Sequence, residues 1–374
     1  MKTSIKNNVL YWSYTHVLKP VFFRQDPETV HDHMVGVGKM LGKYKLAQKV
    51  TRSLFAYRDP MLEQIVLGLK FKNPIGLAAG FDKNAELVDI LPSVGFGFVE
   101  VGSITGYPCE GNPKPRLWRL PKSKGLVVYY GLKNEGCDAI AERLQNRIFD
   151  NVVGTSVAMT NCAANLDTET AIKDYAKAFT ALSDIGDYFT INISCPNAQG
   201  GQPFVDHEKL DALLNTIDQI QTKKPIFIKL SPDLETTEID NILNVVAKHR
   251  IHGIICTNLT KPRSNLKIVD NNVPEQGGVS GKPVQELSDK LLAYIYKKTK
   301  GQYVLVGCGG VFNAEDAYKK IRLGASLVQL ATGMIFEGPQ LIGEINRGLV
   351  QLLKRDGFKN ISEAVGVDNH QIQK

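Results

Sequence analysis

The stretch Tyr188-Phe189-Thr190-Ile191-Asn192-Ile193-Ser194-Cys195-Pro196-Asn197 sets an apolar run directly before a cluster of two carboxamides and a thiol. Residues 188–193 have the aromatic and β-branched composition of a short buried strand, and Pro196 with Asn197 ends it. Polar chemistry is thus mounted at the end of a rigid element. Each Asn carries a donor and an acceptor on one planar group, so the pair can read a ring with C=O and N–H edges, such as a pyrimidine or a flavin. Cys195 stands between them as a titratable group. Taken alone, the segment fits ordinary turn chemistry equally well, and the choice depends on whether the arrangement repeats.

It repeats around the chain. Short β-rich runs at 75–78, 98–101, 152–157, 188–193, 225–230, 253–256, 303–306 and 327–330 are followed by amphipathic stretches, among them 175–182, 210–220, 239–246, 284–296 and 314–321. Eight strand-then-helix units predict an α/β chain folded as a closed parallel (β/α)8 TIM barrel, with function on the loops after the strands. An open doubly wound sheet is the competing architecture, and it binds ligand at one switch point. Here polar or glycine-rich groups close nearly every run: Ala79-Gly80 then Asp82-Lys83, Gly102-Ser103, Ser156, Asn192 with Cys195, Lys229, Thr257-Asn258, Gly309-Gly310 and Thr332-Gly333. One convergent rim, and hence the barrel, fits this pattern better. Two long inserts, 104–133 and 258–283, follow strands on that rim and are candidates for a lid.

At 374 residues the chain accommodates a barrel of about 250 residues and an appendage. Its net charge of +7 is compatible with nucleic acid, an anionic membrane face or an anionic ligand. No nucleic-acid-binding signature accompanies the charge, so the last two lead. The six cysteines form no C-x-x-C pair, which argues against a zinc site, an iron–sulfur cluster or a disulfide framework and for a reducing compartment. No metal is expected. No apolar run approaches the roughly 18 residues of a membrane span, and the N-terminus lacks the apolar core of a signal peptide.

The N-terminal region has a character of its own. Tyr11, Tyr14, Leu18 and Val21 recur at helical spacing; after Asp26-Pro27, which reads as a cap and first turn, Val30, Met34, Val37 and Leu41 do the same. Lys2, Lys6, Lys19 and Arg24 make the stretch basic. Two amphipathic helices of this kind lie in an anionic membrane interface or form a small cap packed on the barrel, and periodicity alone leaves both open. The expected division is a helical extension at 1–45, a barrel at 46–356 and a tail at 357–374.

Gly307-Cys308-Gly309-Gly310 and Ala331-Thr332-Gly333 follow the last two strands and have the composition of a phosphate cradle, in which small residues free the backbone N–H groups. No G-x-G-x-x-G is present, so the implied cofactor is a mononucleotide. Lys229 ends an apolar strand, where an ammonium is costly unless it meets an anion. Lys83 is placed to meet a substrate carboxylate or to bridge Asp82 at the surface, and read alone the surface pair is the simpler assignment. A non-redox phosphate-binding barrel, an isomerase or lyase, would use the glycine loops only.

The segments NPIGLAAGFDK (73–83), GFGFVEVGS (95–103), NPKPRLWRL (112–120), SCPN (194–197), GGVSGKP (277–283) and GASLVQ (324–329) occur in this order. Together they give a chain that resembles the dihydroorotate dehydrogenase family over about residues 10–350. The N-terminal helices, with Asp26-Pro27-Glu28 and His31, are similar to the quinone-linked, membrane-associated branch. The resemblance implies an FMN-containing barrel that oxidises dihydroorotate to orotate in pyrimidine (UMP) biosynthesis, with a quinone as acceptor, as a peripheral protein on the cytoplasmic side of a membrane. It assigns FMN binding to Ala78, Ala79, Gly102, Ser103, Asn192, Lys229, Thr257, Gly281, Gly310, Ala331 and Thr332. Substrate binding falls to Lys83, Tyr130, Gly131, Leu132, Asn192, Asn197 and Asn258. Cys195 takes the position of the base, and His31 with Arg119 lines the quinone approach. A free thiol titrates at about 8.5, so a modest downward shift, expected from Lys83, would give usable thiolate. The chain departs from the family at Cys195, where the quinone-linked branch usually carries Ser, at Val128 and Ser156, where the family has Asn, and at Ala331, often Tyr. These departures keep two alternatives in view, an FMN oxidoreductase for another cyclic amide or enone and a catalytically silent membrane-docking protein.

Overall fold

A computed structural model of the chain describes residues 5–264 and 266–370; Lys2 and the last four residues of the expected tail lie outside them. After a hairpin of β1 (Gln64–Val66) and β2 (Leu69–Phe71) come the eight barrel strands. They are β3 (Ile75–Leu77), β4 (Phe98–Ile104), β7 (Val152–Val157), β8 (Tyr188–Asn192), β9 (Ile226–Leu230), β10 (Gly253–Cys256), β12 (Val304–Cys308) and β13 (Ala325–Leu330). Their order is β10-β12-β13-β3-β4-β7-β8-β9, closing on β10, with every neighbouring pair parallel. All eight expected runs are therefore barrel strands. Closure removes the edges that an open sheet would leave.

The barrel is filled from below by size alternation. A Cβ on Gly154 would run into the ring of Tyr188, and one on Gly253 into the ring of Phe227, so each ring occupies space that the neighbouring strand's glycine leaves. Phe71 of the hairpin meets Phe98 edge-on, 5.4 Å between ring centres, and plugs the lower end. Above this layer the buried carboxylate of Glu100 accepts from the Tyr188 hydroxyl (3.0 Å), the Thr190 hydroxyl (3.0 Å) and the Gln329 amide (2.9 Å). Among the described residues the interior is thus closed at its base and middle, which leaves ligand space at the C-terminal ends of the strands.

Both long inserts contribute to one roof. The first supplies β5 (Leu117–Leu120) and β6 (Gly125–Val128), the second β11 (Gly278–Gly281), and the three pair antiparallel in the order β11-β6-β5. What sequence reads as two lid loops is a single small sheet.

The N-terminal helices stand against the rim. Helix α1 (Ile5–Ser13) runs through a π-helical turn (Tyr14–Leu18) into α2 (Lys19–Phe23). The chain breaks where expected: the Asp26 carboxylate accepts from the Thr29 N–H (2.8 Å) and caps α3 (Pro27–Gly42). A further helix, α4 (Lys45–Phe55), was not foreseen, although Leu46, Val50 and Leu54 recur at helical spacing; in the structure they face outward. The inner face docks on the barrel: the Tyr14 hydroxyl donates to the Ile335 carbonyl (2.6 Å), and Phe23 meets Phe336 edge-on at 5.4 Å. The outer face leaves Val9, Trp12, Val17 and Val21 exposed. The inner face thus matches the reading of this region as a cap packed on the barrel. Among the described residues no helix is long and apolar enough to cross a membrane.

Candidate active site

Between the strand ends and the roof lies a cavity of about 210 Å³. The barrel loops line it with Ala78, Ala79, Gly102, Ser103, Asn192, Cys195, Lys229, Thr257, Asn258, Gly310, Ala331 and Thr332. The roof and its connections add Tyr130, Gly131, Leu132 and Gly281; Lys83, Asn197 and, from α3, His31 complete the set. Residues more than two hundred positions apart are brought together because every barrel strand points the same way. Arg119 is the exception among the sequence-predicted residues. It lies along β5 from the cavity-lining Leu117, but its guanidinium donates to the Gln25 carbonyl (2.8 Å) and covers the Phe23 ring at 4.7 Å, so it belongs to the helical side.

The floor is a closed polar network. Asn192 Nδ2 donates to Ser103 Oγ (2.8 Å), which shares a hydrogen bond of 2.8 Å with Ser156 Oγ. Asn192 Oδ1 accepts from Ser194 Oγ (3.1 Å) and Asn258 Nδ2 (3.3 Å). Ser156 is therefore occupied in holding Ser103. Beside this network Lys229 is 4% exposed and meets no acceptor among the described residues. At the rim the N–H groups of Gly309 and Gly310 likewise meet no acceptor among the described residues. Gly310 sits at φ +72° with Gln285 where a Cβ would go, so its glycine is required by both backbone and packing. An orphaned ammonium, free backbone N–H groups and fixed carboxamides suit a planar heterocycle that carries a phosphate. The residues present fit a flavin mononucleotide.

The wall on the other side is differently made. Asp82 does not pair with Lys83 at the surface; its buried carboxylate accepts from the N–H groups of Glu86 (2.8 Å) and Leu87 (2.9 Å). Lys83 turns inward instead, with Nζ 3.2 Å from His31 Nε2 and 4.0 Å from the centre of the Tyr130 ring. Burial lowers the Lys83 ammonium to about 8, and burial together with that ammonium drives His31 down to about 3. At neutral pH the lysine donates and the imidazole accepts. Phe81, which the motif reading passed over, supports this imidazole edge-on at 4.9 Å.

Cys195 corrects a second expectation. Burial pushes its thiol up to about 11, against a partial offset from backbone N–H groups and Lys229; Lys83 is not among the groups that lower it. The thiolate is therefore a minority form at neutral pH. Close by, Asn197 Nδ2 donates to the Val128 carbonyl (2.8 Å), while its Oδ1, like the Tyr130 hydroxyl, is buried without a partner among the described residues. Cys308, within a glycine loop already singled out, also lines the cavity. Glu28 and Arg116 carry no signal in the sequence beyond their place in two motifs, yet they form a buried ion pair next to this wall.

Comparison with known proteins gives a consistent result. The family model described as dihydroorotate dehydrogenase matches residues 61–353. A dihydroorotate dehydrogenase (quinone) of Natronomonas pharaonis is 40% identical over 355 residues, covering 94% of this chain and 98% of the relative. One from Christiangramia forsetii is 40% identical over 343 residues, covering 90% and 99%. Among solved structures, the dihydroorotate dehydrogenase of Eimeria tenella in complex with ferulenol superposes with a TM-score of 0.81 at 30% identity, covering 92% of this chain and 96% of the other. Its ligand-free form gives 0.82 at 31% identity. By these matches, and by a cavity assembled from the same motifs, the chain belongs to the dihydroorotate dehydrogenase family.

Proposed function

We propose that this protein oxidises dihydroorotate to orotate in pyrimidine biosynthesis, with FMN as its cofactor and a membrane quinone as the final acceptor. The observation that carries the reading is the convergence of Cys195, Lys83 and three carboxamides, Asn192, Asn197 and Asn258, on the cavity that also holds the orphaned Lys229. The flavin, when bound, supplies the two-electron acceptor. Lys229 offers it a positive charge, and Gly309 and Gly310 offer its phosphate backbone N–H groups.

Cys195, as thiolate, takes the proton from the ring carbon beside the substrate carbonyl while the adjacent carbon gives up a hydride and the ring double bond forms. Lys83 faces the substrate carboxylate. Asn197 Oδ1, buried and without a partner among the described residues, is suited to a ring N–H. The quinone approaches between α1–α2 and the rim, where Ile335 lines the cavity and gives its carbonyl to Tyr14. Arg119, over Phe23, stands on that approach, with His31 at its inner end. The exposed Val9, Trp12, Val17 and Val21, close in sequence to Lys6, Lys19 and Arg24, favour docking on the cytoplasmic face of an anionic membrane. We take the docking extension to end, and the catalytic barrel to begin, at the start of α4.

Val128, half-buried and apolar at the cavity, favours a second reading in which another cyclic amide is the substrate. The test for both is spectroscopic. The purified holoprotein is expected to show flavin absorbance, a spectral shift with orotate and bleaching by dihydroorotate. A colourless protein overturns the flavin assignment; a yellow one bleached only by a different dihydropyrimidine selects the second reading.

A further inference from the structure

Glu28, in the first turn of α3, and Arg116, just before β5, are 3% and 5% exposed. The carboxylate takes the guanidinium from two sides, with Nε at 3.1 and 3.2 Å from its two oxygens and Nη2 at 2.8 Å. Lys114 and Lys133 stand at 3.6 Å from the same carboxylate. A buried ion pair adds little net stability compared with apolar residues of the same size, because desolvation offsets the attraction. Its value lies in the geometry it imposes, and here that geometry leads to the substrate wall.

The remaining nitrogen of Arg116, Nη1, donates to the carbonyls of Glu110 (2.7 Å) and Asn112 (2.8 Å). Asn112, so fixed, donates from Nδ2 to the Asn197 carbonyl (3.0 Å) and the Tyr129 carbonyl (3.1 Å), and its N–H donates to the Tyr130 carbonyl (2.9 Å). The guanidinium also lies 5.4 Å from the centre of the Tyr130 ring, the ring that seats Lys83. One guanidinium, anchored from the helical extension, thus sets both Asn197 and Tyr130.

We propose that Arg116, held by Glu28, is a positioning residue for substrate: it links the docked state of α3 to the placement of the Asn197 carboxamide and the Tyr130–Lys83 pair. The proposal rests on the reading of the cavity as a dihydroorotate site. Its test uses the full-length, flavin-loaded protein and the variant Arg116→Lys, which keeps a cation beside Glu28 but cannot reach both carbonyls at once. Orotate dissociation constants come from the flavin spectral shift, with Tm measured alongside. Reoxidation of dithionite-reduced flavin by a soluble quinone is followed separately.

The expected result is an orotate dissociation constant raised about tenfold and a slower flavin reduction by dihydroorotate, since small misplacements of a binding group carry penalties of that order. Tm and quinone reoxidation stay close to the parent. Should Arg116→Lys fail to fold, Glu28→Gln carries the same readout, because it weakens the anchor while keeping its shape. Orotate binding within twofold of the parent in a folded variant overturns the proposal and leaves the pair a purely structural tie. A parent protein that gives no shift with orotate overturns the functional reading, and this proposal with it.

Discussion

On the floor of the cavity Asn192, Ser103, Ser156, Ser194 and Asn258 bond to one another, whereas on the wall the Asn197 Oδ1 and the Tyr130 hydroxyl are buried with no partner among the described residues. A buried polar atom left unpaired costs about 1–3 kcal/mol, so the wall holds an unfavourable arrangement that a ligand with matching groups relieves. The carboxamide–hydroxyl network of the floor needs no such relief, and the Lys229 ammonium beside it awaits the charge of a group that stays. The difference separates two kinds of tenancy: a pre-bonded surface suits a group that stays, and an unsatisfied one suits a molecule that enters, reacts and leaves.

Three outcomes test this division. The largest concerns Cys195, on the wall. Cys195→Ala is expected to slow flavin reduction by dihydroorotate about a thousandfold, within the range that positioned acid–base groups contribute, while the flavin stays bound on the intact floor. Stopped-flow absorbance measures the first and the visible spectrum the second; loss of the flavin would show that the two surfaces are not independent. The next is a pH effect in the unmodified enzyme. With the thiol pushed up to about 11, the thiolate fraction rises tenfold per pH unit below that value. The reduction rate constant at saturating substrate is then expected to climb about a hundredfold between pH 7 and 9. A flat profile would mean that substrate binding itself ionises the thiol or that another group is the base. The smallest effect is expected at Arg119, which belongs to neither surface. Arg119→Ala should slow quinone reoxidation about tenfold, the order of one lost charged contact, and leave flavin reduction within twofold. Slower flavin reduction in that variant would extend the wall outward to α2.

The floor was largely legible in the sequence because it belongs to strand ends. An apolar run followed by Asn, Ser, Thr or Gly tells where a parallel barrel strand stops, and strand direction alone then brings Ser103, Asn192, Lys229 and Thr257 together. The wall was less so. Lys83 reads as a surface partner of Asp82 until the chain turns after Gly80 and gives the Asp82 carboxylate two backbone N–H groups instead. The thiol's shift depends on how much water the roof excludes, and no local pattern records that. The roof itself was visible only as two long inserts, since β5, β6 and β11 are four-residue strands and the pairing of β6 with β11 spans about 150 residues of chain. Helix α4 was legible, since Leu46, Val50 and Leu54 recur at helical spacing; what the sequence did not record is that this stripe faces outward.

Because β6 is hydrogen-bonded to β5 on one side and to β11 on the other, the roof is a single board nailed at two distant points of the chain. It cannot swing open by bending one loop without tearing a ladder of backbone bonds. Molecules must then come and go past its margin, where the segment after Cys195 is fastened by the side chains of Asn112 and Asn161 and carries two left-handed glycines, Gly200 and Gly201.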